Sequence, residues 1–371
     1  MTTQQIVGSD QRAVKPWDGL GLVPLVTEGL VQPSVGEGQR AALSPTSVLE
    51  AQDRLAGVLH RTPLATSATL DAWLGHTLIF KCENQQKTGA FKARGAYHTL
   101  LRLRETRPDV DTVVLVSSGN HAQACAWAGA KLGFKVRAFL PESASSAKRQ
   151  ATAAYGAEVI VCASRLAAEA GARAACSAPR TAFVPPFDHD DIIAGQGTAC
   201  LEALQDGAKP DAIFAAVGGG GWLSGSLLAA RLLAPSARVF GAEPALACDA
   251  AASLAAGRIL SFAQAPATLA DGAQTRHVAP RTFALLQQSD GIRTVSEAAM
   301  CYWTQWLTHL LKQSVEPTSA MAMAAAADWL REARQPQRVL VLLSGGNLDH
   351  ATRRAVWADD ALSTLPNATL R

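Results

Sequence analysis

With 371 residues, 48% of them apolar and 18% charged, the chain has the make-up of a globular protein with one large or two medium cores, not of a disordered or fibrous one. A net charge of +3 excludes a strong electrostatic pull toward nucleic acid or an anionic membrane, and no partner of either kind is expected. The seven cysteines, at 82, 125, 162, 176, 200, 248 and 301, are odd in number and no two have metal-ligand spacing, which points to reduced thiols in a cytoplasmic protein rather than a disulfide framework.

In chain order, residues 1–44 carry Gly and Pro throughout without a sustained period and read as an irregular extension. Asp10, Asp18, Glu28 and Glu37 lie where a secretory signal needs a basic start and an apolar core, so none is expected. Val48, Leu49, Ala51, Leu55, Val58 and Leu59 have helical spacing and predict a helix over 47–59, with Ser47 and Glu50 as a capping box and Arg61-Thr62-Pro63-Leu64 as its end. A strand at 77–82 and a polar stretch at 83–86 precede a helix whose first turns hold Lys92. Strands are then expected at 112–116, 136–140, 158–162, 211–217, 237–242 and 339–343. Helices are expected between them: an Ala-rich one ending near 132, then 145–155, 165–176, 191–204 and 222–233. The uncharged run 212–230 is long enough to suggest a membrane span, but Gly218, Gly219, Gly220 and Gly221 interrupt it, which reads as strand, loop, helix. The alternation predicts an α/β protein with open parallel sheets covered by helices on both faces.

In such sheets ligands sit at the carboxyl ends of strands. The segments 117–121, 218–221 and 344–347 all fall there, and three such loops can line one site. Near a helix N-terminus and beside Lys87 and Arg94, Lys92 sits in positive potential, which favours the neutral amine that attacks an aldehyde. A solvated basic helix face is the competing reading. The four glycines open a helix, and their amides suit a phosphate. A flexible turn is one alternative. Another is a dinucleotide site built on Gly219, Gly221 and Ser224, with Glu243 for a ribose. Ser117, Ser118, Gly119, Asn120 and His121 can grip a carboxylate through backbone amides, or simply cap a helix beside a solvent-facing histidine. Asp188-His189-Asp190-Asp191 reads as the cap of the helix at 191 rather than a metal cluster.

The run Lys81-Cys82-Glu83-Asn84-Gln85-Gln86-Lys87-Thr88-Gly89-Ala90-Phe91-Lys92-Ala93-Arg94-Gly95-Ala96, with the three loops in the same order, resembles the threonine dehydratase and serine racemase family of fold-type II pyridoxal-phosphate enzymes over roughly residues 46–350. The resemblance implies two tryptophan synthase β-like domains, the smaller at 108–182 and the larger at 45–107 and 183–371. It implies pyridoxal 5′-phosphate bound as a Schiff base to Lys92, with Phe91 beside the ring, the 218–221 glycines on the phosphate, Asn120 at the ring oxygen and Ser344 at the pyridine nitrogen. It gives 117–121 to the substrate carboxylate, makes Ser118 the opposite-face acid/base in racemising members, and gives His121 no catalytic role. It also implies a divalent cation, Mg2+ or another, held by Glu243, the Ala247 carbonyl and Asp249, against the plainer reading of solvated acids at a helix start.

The implied activity is an ammonia-lyase turning an L-3-hydroxy amino acid into a 2-oxo acid and ammonia. Threonine and serine are the default substrates, with 3-hydroxyaspartate and phenylserine as further options. A racemase or β-replacement synthase on the same site, or a protein that binds the cofactor without turnover, are the alternatives. A second substrate carboxylate would call for Arg276, His277 or Arg149. Relatives are commonly dimers or tetramers, so a homo-oligomer is expected. Departures from the family pattern are Trp222 after the glycines, Glu316-Pro317-Thr318-Ser319-Ala320 in place of a usual serine-glycine pair before the alanine, and Ala270-Asp271-Gly272-Ala273, which usually ends in leucine. They bear on pocket shape and substrate identity rather than on the reaction. The chain ends soon after Asn347, leaving no room for a regulatory domain. Isoleucine is therefore expected to leave activity unchanged; strong inhibition in an activity titration would contradict this.

Overall fold

The apolar strands pair into two parallel sheets and one short antiparallel pair in a computed structural model, which describes residues 15, 17, 19–25, 42–117 and 119–366. Most of the 1–44 extension, and Ser118, lie outside the described residues. In order the chain forms β1 (Val23–Pro24), α1 (Pro45–Leu55), β2 (Leu64–Ala65), α2 (Ala68–Leu74), β3 (Thr77–Cys82), α3 (Lys92–Thr106), β4 (Thr112–Val116), α4 (Asn120–Leu132) and β5 (Lys135–Pro141). It continues with α5 (Ser146–Ala154), β6 (Glu158–Cys162), α6 (Arg165–Cys176), β7 (Thr181–Phe183), α7 (Asp190–Gln205), β8 (Ala212–Ala216), α8 (Gly221–Leu233) and β9 (Arg238–Pro244). Then come α9 (Asp249–Ala256), β10 (Leu260–Ser261), α10 (Pro280–Leu286), β11 (Ile292–Val295), α11 (Glu297–Leu311), α12 (Pro317–Leu330), β12 (Arg338–Leu343) and α13 (His350–Val356).

One sheet runs β11-β9-β8-β12-β3-β2, parallel except for β2; the other runs β6-β5-β4-β7, all parallel. Residues 339–343 are wholly buried, as expected of a central parallel strand covered on both faces. Val339, Val341 and Leu343 join one apolar cluster with Trp303 and Met321 of α11 and α12; Leu340 and Leu342 join another with Ile193 and Leu227 of α7 and α8. In the smaller sheet Val113 and Leu115 pack toward Leu100 and Cys125 of α3 and α4, while Val114 and Val116 pack toward Ala168 and Ala172 of α6. The alternation of strand side chains thus sorts helices onto both faces.

Several boundaries differ from the sequence reading. The first helix starts at Pro45 and is capped at Ser44, whose backbone N–H donates to the Ser47 hydroxyl (3.2 Å), so Ser47 sits inside the helix and is not its cap. The Asp188–Asp191 segment does cap α7: the His189 ring accepts from the Asp191 amide (3.2 Å), and Asp188 and Asp190 pair with Arg281. Helices α11 and α12 had no sequence prediction. Every residue of α12 except Asp328 is buried, so it carries no amphipathic period to read. The uncharged run divides into β8 and α8, and among the described residues no helix is long and apolar enough to cross a membrane.

The start of α3 is fixed by a buried ion cluster. Arg94 donates through Nε to Glu83 Oε2 (2.7 Å) and through Nη1 to Glu202 Oε1 (2.8 Å), and Lys81 Nζ reaches Glu202 Oε2 (2.8 Å). Thr62 Oγ1 donates to Glu83 (2.5 Å). Arg94, Lys81 and Glu83 are wholly buried, so each charge depends on the others to replace water. The segment Glu83–Gln86 is therefore not a polar surface turn, since Glu83 closes the cluster. Arg94→Met leaves two carboxylates with one ammonium, and we expect it to destabilise the fold by about 3–5 kcal/mol in denaturant unfolding. A loss below about 1 kcal/mol, the range of an exposed pair, would show the cluster to be dispensable.

Candidate active site

The approach to Lys92 is a strained turn. Thr88 and Gly89 both have positive φ (61° and 70°), and a Cβ on Gly89 would lie 2.5 Å from Asn347 Oδ1. Ala90 then bridges to Gly345, the Phe91 amide donates to the Ser344 carbonyl (3.0 Å), and the Gly346 amide donates to the Gly89 carbonyl (3.0 Å). These bonds staple the lysine segment to the loop after β12. Lys92 is the first residue of α3, and its Nζ donates to the Pro186 carbonyl (2.8 Å). Burial lowers its ammonium to about 8. The neutral amine is favoured, as expected, but for a different reason. Arg94 is turned into the ion cluster and neutralised there, so desolvation rather than neighbouring cations shifts the lysine. The alternative of a solvated basic helix face does not fit this burial.

One cavity brings Phe91 and Lys92 together with Ser117, Gly119, Asn120 and His121 from the β4–α4 loop. Gly219 and Ser344 complete it from the β8 and β12 ends. The Ser117 hydroxyl accepts from the Gly119 amide (3.2 Å), which shapes the loop. His121 is buried rather than solvent-facing: its Nε2 donates to the Val184 carbonyl (3.2 Å), and burial beside Lys92 pushes it down to about 3, so it is neutral. The glycines are required by packing. A Cβ on Gly219 would fall 2.1 Å from the Phe187 ring and one on Gly218 2.9 Å from the Gly272 carbonyl, while Gly220, with φ +87°, caps α8. Gly221 begins that helix. Trp222 stacks on Phe91, with ring centroids 4.0 Å apart and planes at 11°. This departure from the family pattern backs the residue next to the lysine.

Ser344 is buried and shares a hydrogen bond with Ser319 Oγ (2.9 Å). Glu316, buried at the cap of α12, accepts from Asn120 Nδ2 (3.1 Å) and from the Asn347 amide (3.1 Å), with Ser344 Oγ at 3.5 Å. Asp271 lines the same cavity and forms an ion pair with Lys148 of α5. Arg165, the first residue of α6, also lines it, held by Glu169 at 3.2 Å. Of these, Glu316 and Asp271 lie in segments that the sequence marks as departures, whereas Arg165 and Lys148 carry no local signal. The cations suggested for a second carboxylate do not line this cavity: Arg276 donates to the Phe262 carbonyl (3.0 Å), His277 Nδ1 donates to the Val278 carbonyl (3.0 Å), and Arg149 on α5 is not among the lining residues.

Glu243, Ala247 and Asp249 form a separate, buried site off the end of β9. Glu243 accepts from the amides of Ala250 (3.0 Å) and Ala251 (2.9 Å), so it is not placed for a ribose. Among the described residues Asp249 takes no hydrogen bond from another side chain and faces only backbone amides, its own and that of Val278, and burial raises both carboxyls. They are not solvated acids. Among the described residues no group of three or more His, Cys, Asp or Glu side chains is arranged for a metal.

The family model for pyridoxal-phosphate-dependent enzymes matches residues 55–345. An L-threo-3-hydroxyaspartate ammonia-lyase of a Pseudomonas species is 40% identical over 81% of this chain and 94% of its own length. A serine racemase of Schizosaccharomyces pombe is 38% identical over 81% and 93%. Among solved structures, a T.th. threonine deaminase superposes with a TM-score of 0.77 at 44% identity, covering 82% of this chain and 99% of that one. The geometry fits such a cofactor. Lys92 offers an easily deprotonated amine, the glycine turn packs too closely on Phe187 to admit side chains, and it opens directly onto the N-terminus of α8, which favours a phosphate. With the fold, the site and the matches in agreement, this chain belongs to the fold-type II pyridoxal-phosphate-dependent enzymes of the threonine deaminase and serine racemase family.

Proposed function

We propose that the protein is an ammonia-lyase that removes water from an L-3-hydroxy amino acid and yields a 2-oxo acid and ammonia, with L-threo-3-hydroxyaspartate as the favoured substrate. The observation that carries this reading is the desolvated amine of the part-buried Lys92 on a cavity that also holds a cation, Arg165, available to a second carboxylate. Among the described residues Arg165 is paired with Glu169, in a part-exposed i,i+4 pair of the kind worth about 0.3–0.5 kcal/mol, so a substrate carboxylate can displace it. Two relatives, from the Pseudomonas species and from Saccharomyces cerevisiae, bear the name L-threo-3-hydroxyaspartate ammonia-lyase and are 40% and 39% identical.

In this reading Lys92 holds the cofactor, Gly218, Gly219, Gly220 and Gly221 with the start of α8 hold its phosphate, Phe91 flanks its ring, and Asn120 and Ser344 contact the ring. When bound, pyridoxal phosphate supplies the electron sink that makes an amino acid's α-proton acidic. The loop of Ser117, Gly119, Asn120 and His121, with Ser118, binds the α-carboxylate and orients Cα toward Lys92. Lys92 Nζ, set free as the substrate amine takes its place, would take the α-proton, and its lowered value keeps a useful fraction of free base at neutral pH. The β-hydroxyl would depart as water, the proton taken from Cα balancing the one it needs, and the released enamine would hydrolyse to the oxo acid and ammonia. Ser344 bonds to Ser319 and offers a hydroxyl rather than a carboxylate, which suits elimination, where no long-lived carbanion is needed.

The remaining elements of the reading follow the same family logic. The four-stranded sheet would form the smaller inserted domain, a cation such as Mg2+ would sit between Glu243, the Ala247 carbonyl and Asp249, and the protein would act in the cytoplasm as a homodimer or homotetramer. Two neighbouring carboxyls, Glu243 and Asp249, both buried and, among the described residues, with no basic side chain paired to either, support the cation. Racemisation is the second reading, favoured by the serine racemases among the relatives and dependent on Ser118.

Lys92→Ala is expected to abolish turnover and the cofactor's lysine-linked visible band while leaving the far-ultraviolet spectrum unchanged; retained turnover would refute the assignment. Arg165→Gln should lower kcat/KM for L-threo-3-hydroxyaspartate about 10- to 100-fold relative to L-threonine, the loss of a charge-assisted bond. An unchanged ratio would remove Arg165 from substrate choice. Chelation should lower the thermal midpoint and Mg2+ restore it, whereas indifference to both would argue against the cation.

A further inference from the structure

We propose that Glu316 is a positioning residue that fixes the side-chain amide of Asn120, so that the amide presents an N–H, not its oxygen, to the cavity. The proposal rests on the reading of Asn120 as a contact to the cofactor ring. It follows from a hydrogen-bond chain with a single consistent direction. A carboxylate only accepts, so Asn120 Nδ2 must face Glu316, at 3.1 Å from Oε1 and 3.3 Å from Oε2. Asn347 Nδ2 spends its two hydrogens on the Thr88 carbonyl (2.8 Å) and on Asn120 Oδ1 (2.9 Å). The oxygen of Asn120 is thereby occupied and one side of its nitrogen is held. The second hydrogen on that nitrogen remains, on a residue that lines the cavity. A negatively charged ring oxygen of the bound cofactor would accept from that hydrogen, whereas a flipped amide would set oxygen against oxygen.

Glu316 is itself held from several directions. Its amide donates to the Gly345 carbonyl (3.1 Å), and its Oε2 accepts from the Asn347 amide (3.1 Å). Its Oε1 lies where a Cβ on Gly345 would come within 2.8 Å. The residue is 1% exposed. One carboxylate therefore ties together α12, the start of α4 and the loop after β12, and through Asn347 it reaches the strained Thr88 turn that leads to Lys92. The sequence conveys none of this, because the partners lie 196 and 31 residues away.

The charges facing Glu316 make its action depend on pH. Asp271, on the turn before α10, opposes its ionisation together with burial, and Lys148 of α5 favours it; Asp349 stands beyond Lys148. The carboxyl is held at about 7. Above that value both oxygens accept and the amide is locked. Below it one oxygen carries a proton, and the lock on Asn120 loosens. Turnover should therefore fall as the pH drops through about 7.

The test compares the holoenzyme with its Glu316→Gln, Asn120→Ala and doubly substituted forms. Glutamine keeps the shape but can turn its own NH2 toward Asn120. We expect Glu316→Gln to lower kcat about tenfold or more, with KM changed less than about threefold. It should shift the cofactor's visible band and remove the band's pH dependence near neutrality. In the Asn120→Ala background the same substitution should change kcat less than about twofold, since it acts through the amide. An equal loss in both backgrounds, or a wild-type band and pH profile in Glu316→Gln, would overturn the proposal. A fall in cofactor content and thermal midpoint matching the loss of kcat would overturn it as well, because it would mark a structural role alone. If Asn120→Ala kept full turnover, the reading of Asn120 as a ring contact would fall, and the positioning role with it.

Discussion

The buried ion cluster around Arg94 is the constraint on which the site depends. Two cations and two carboxylates neutralise each other where water is excluded, and they join three parts of the fold: Lys81 lies near the end of β3 and Glu83 just after it, Arg94 lies in the first turn of α3, and Glu202 lies on α7. Lys92 stands two residues before Arg94, so a cluster that anchors the arginine also anchors the helix that aims the lysine amine. An apolar contact of the same size would hold the helix against the sheet but would not fix its rotation, which the paired guanidinium bonds do. Burial has a second effect. The environment that makes the cluster stable also desolvates the Lys92 amine, so fold stability and chemical reactivity arise from the same exclusion of water.

Much of the fold was legible from the sequence. Strands such as 112–116 and 158–162 are short apolar runs bounded by turns, and they match β4 and β6. The three loops at strand ends meet at one cavity because parallel strands place their carboxyl ends on one side of each sheet. Helices α11 and α12 were not legible. Helix α12 is buried too fully to show a polar face, and the sequence pattern cannot distinguish such a helix from a run of small apolar residues.

Side-chain roles were less legible than elements. Arg94 reads from its neighbours as a source of positive potential, and Glu83 as part of a polar stretch; that Arg94 joins Glu83 to Glu202 depends on a contact over more than a hundred residues. Arg165 opens a predicted helix like any basic residue, and only the placement of α6 beside the cavity distinguishes it from Arg276 and His277. Trp222 stands out in the sequence as an unusually large neighbour of the glycines. Its stacking on Phe91 shows that the extra bulk supports the ring beside Lys92.

A desolvated, readily deprotonated lysine thus shares its cavity with a cation suited to a second carboxylate. The central claim is elimination, and the most direct measurement is 2-oxo acid release by the cofactor-loaded wild-type protein. The substrates are L-threo-3-hydroxyaspartate, L-threonine and L-serine, with the chirality of remaining substrate followed in parallel. Oxo acid and ammonia are predicted in equal amounts, fastest from L-threo-3-hydroxyaspartate, with elimination outpacing any inversion. Inversion of the substrate with no oxo acid from any of the three would contradict that claim.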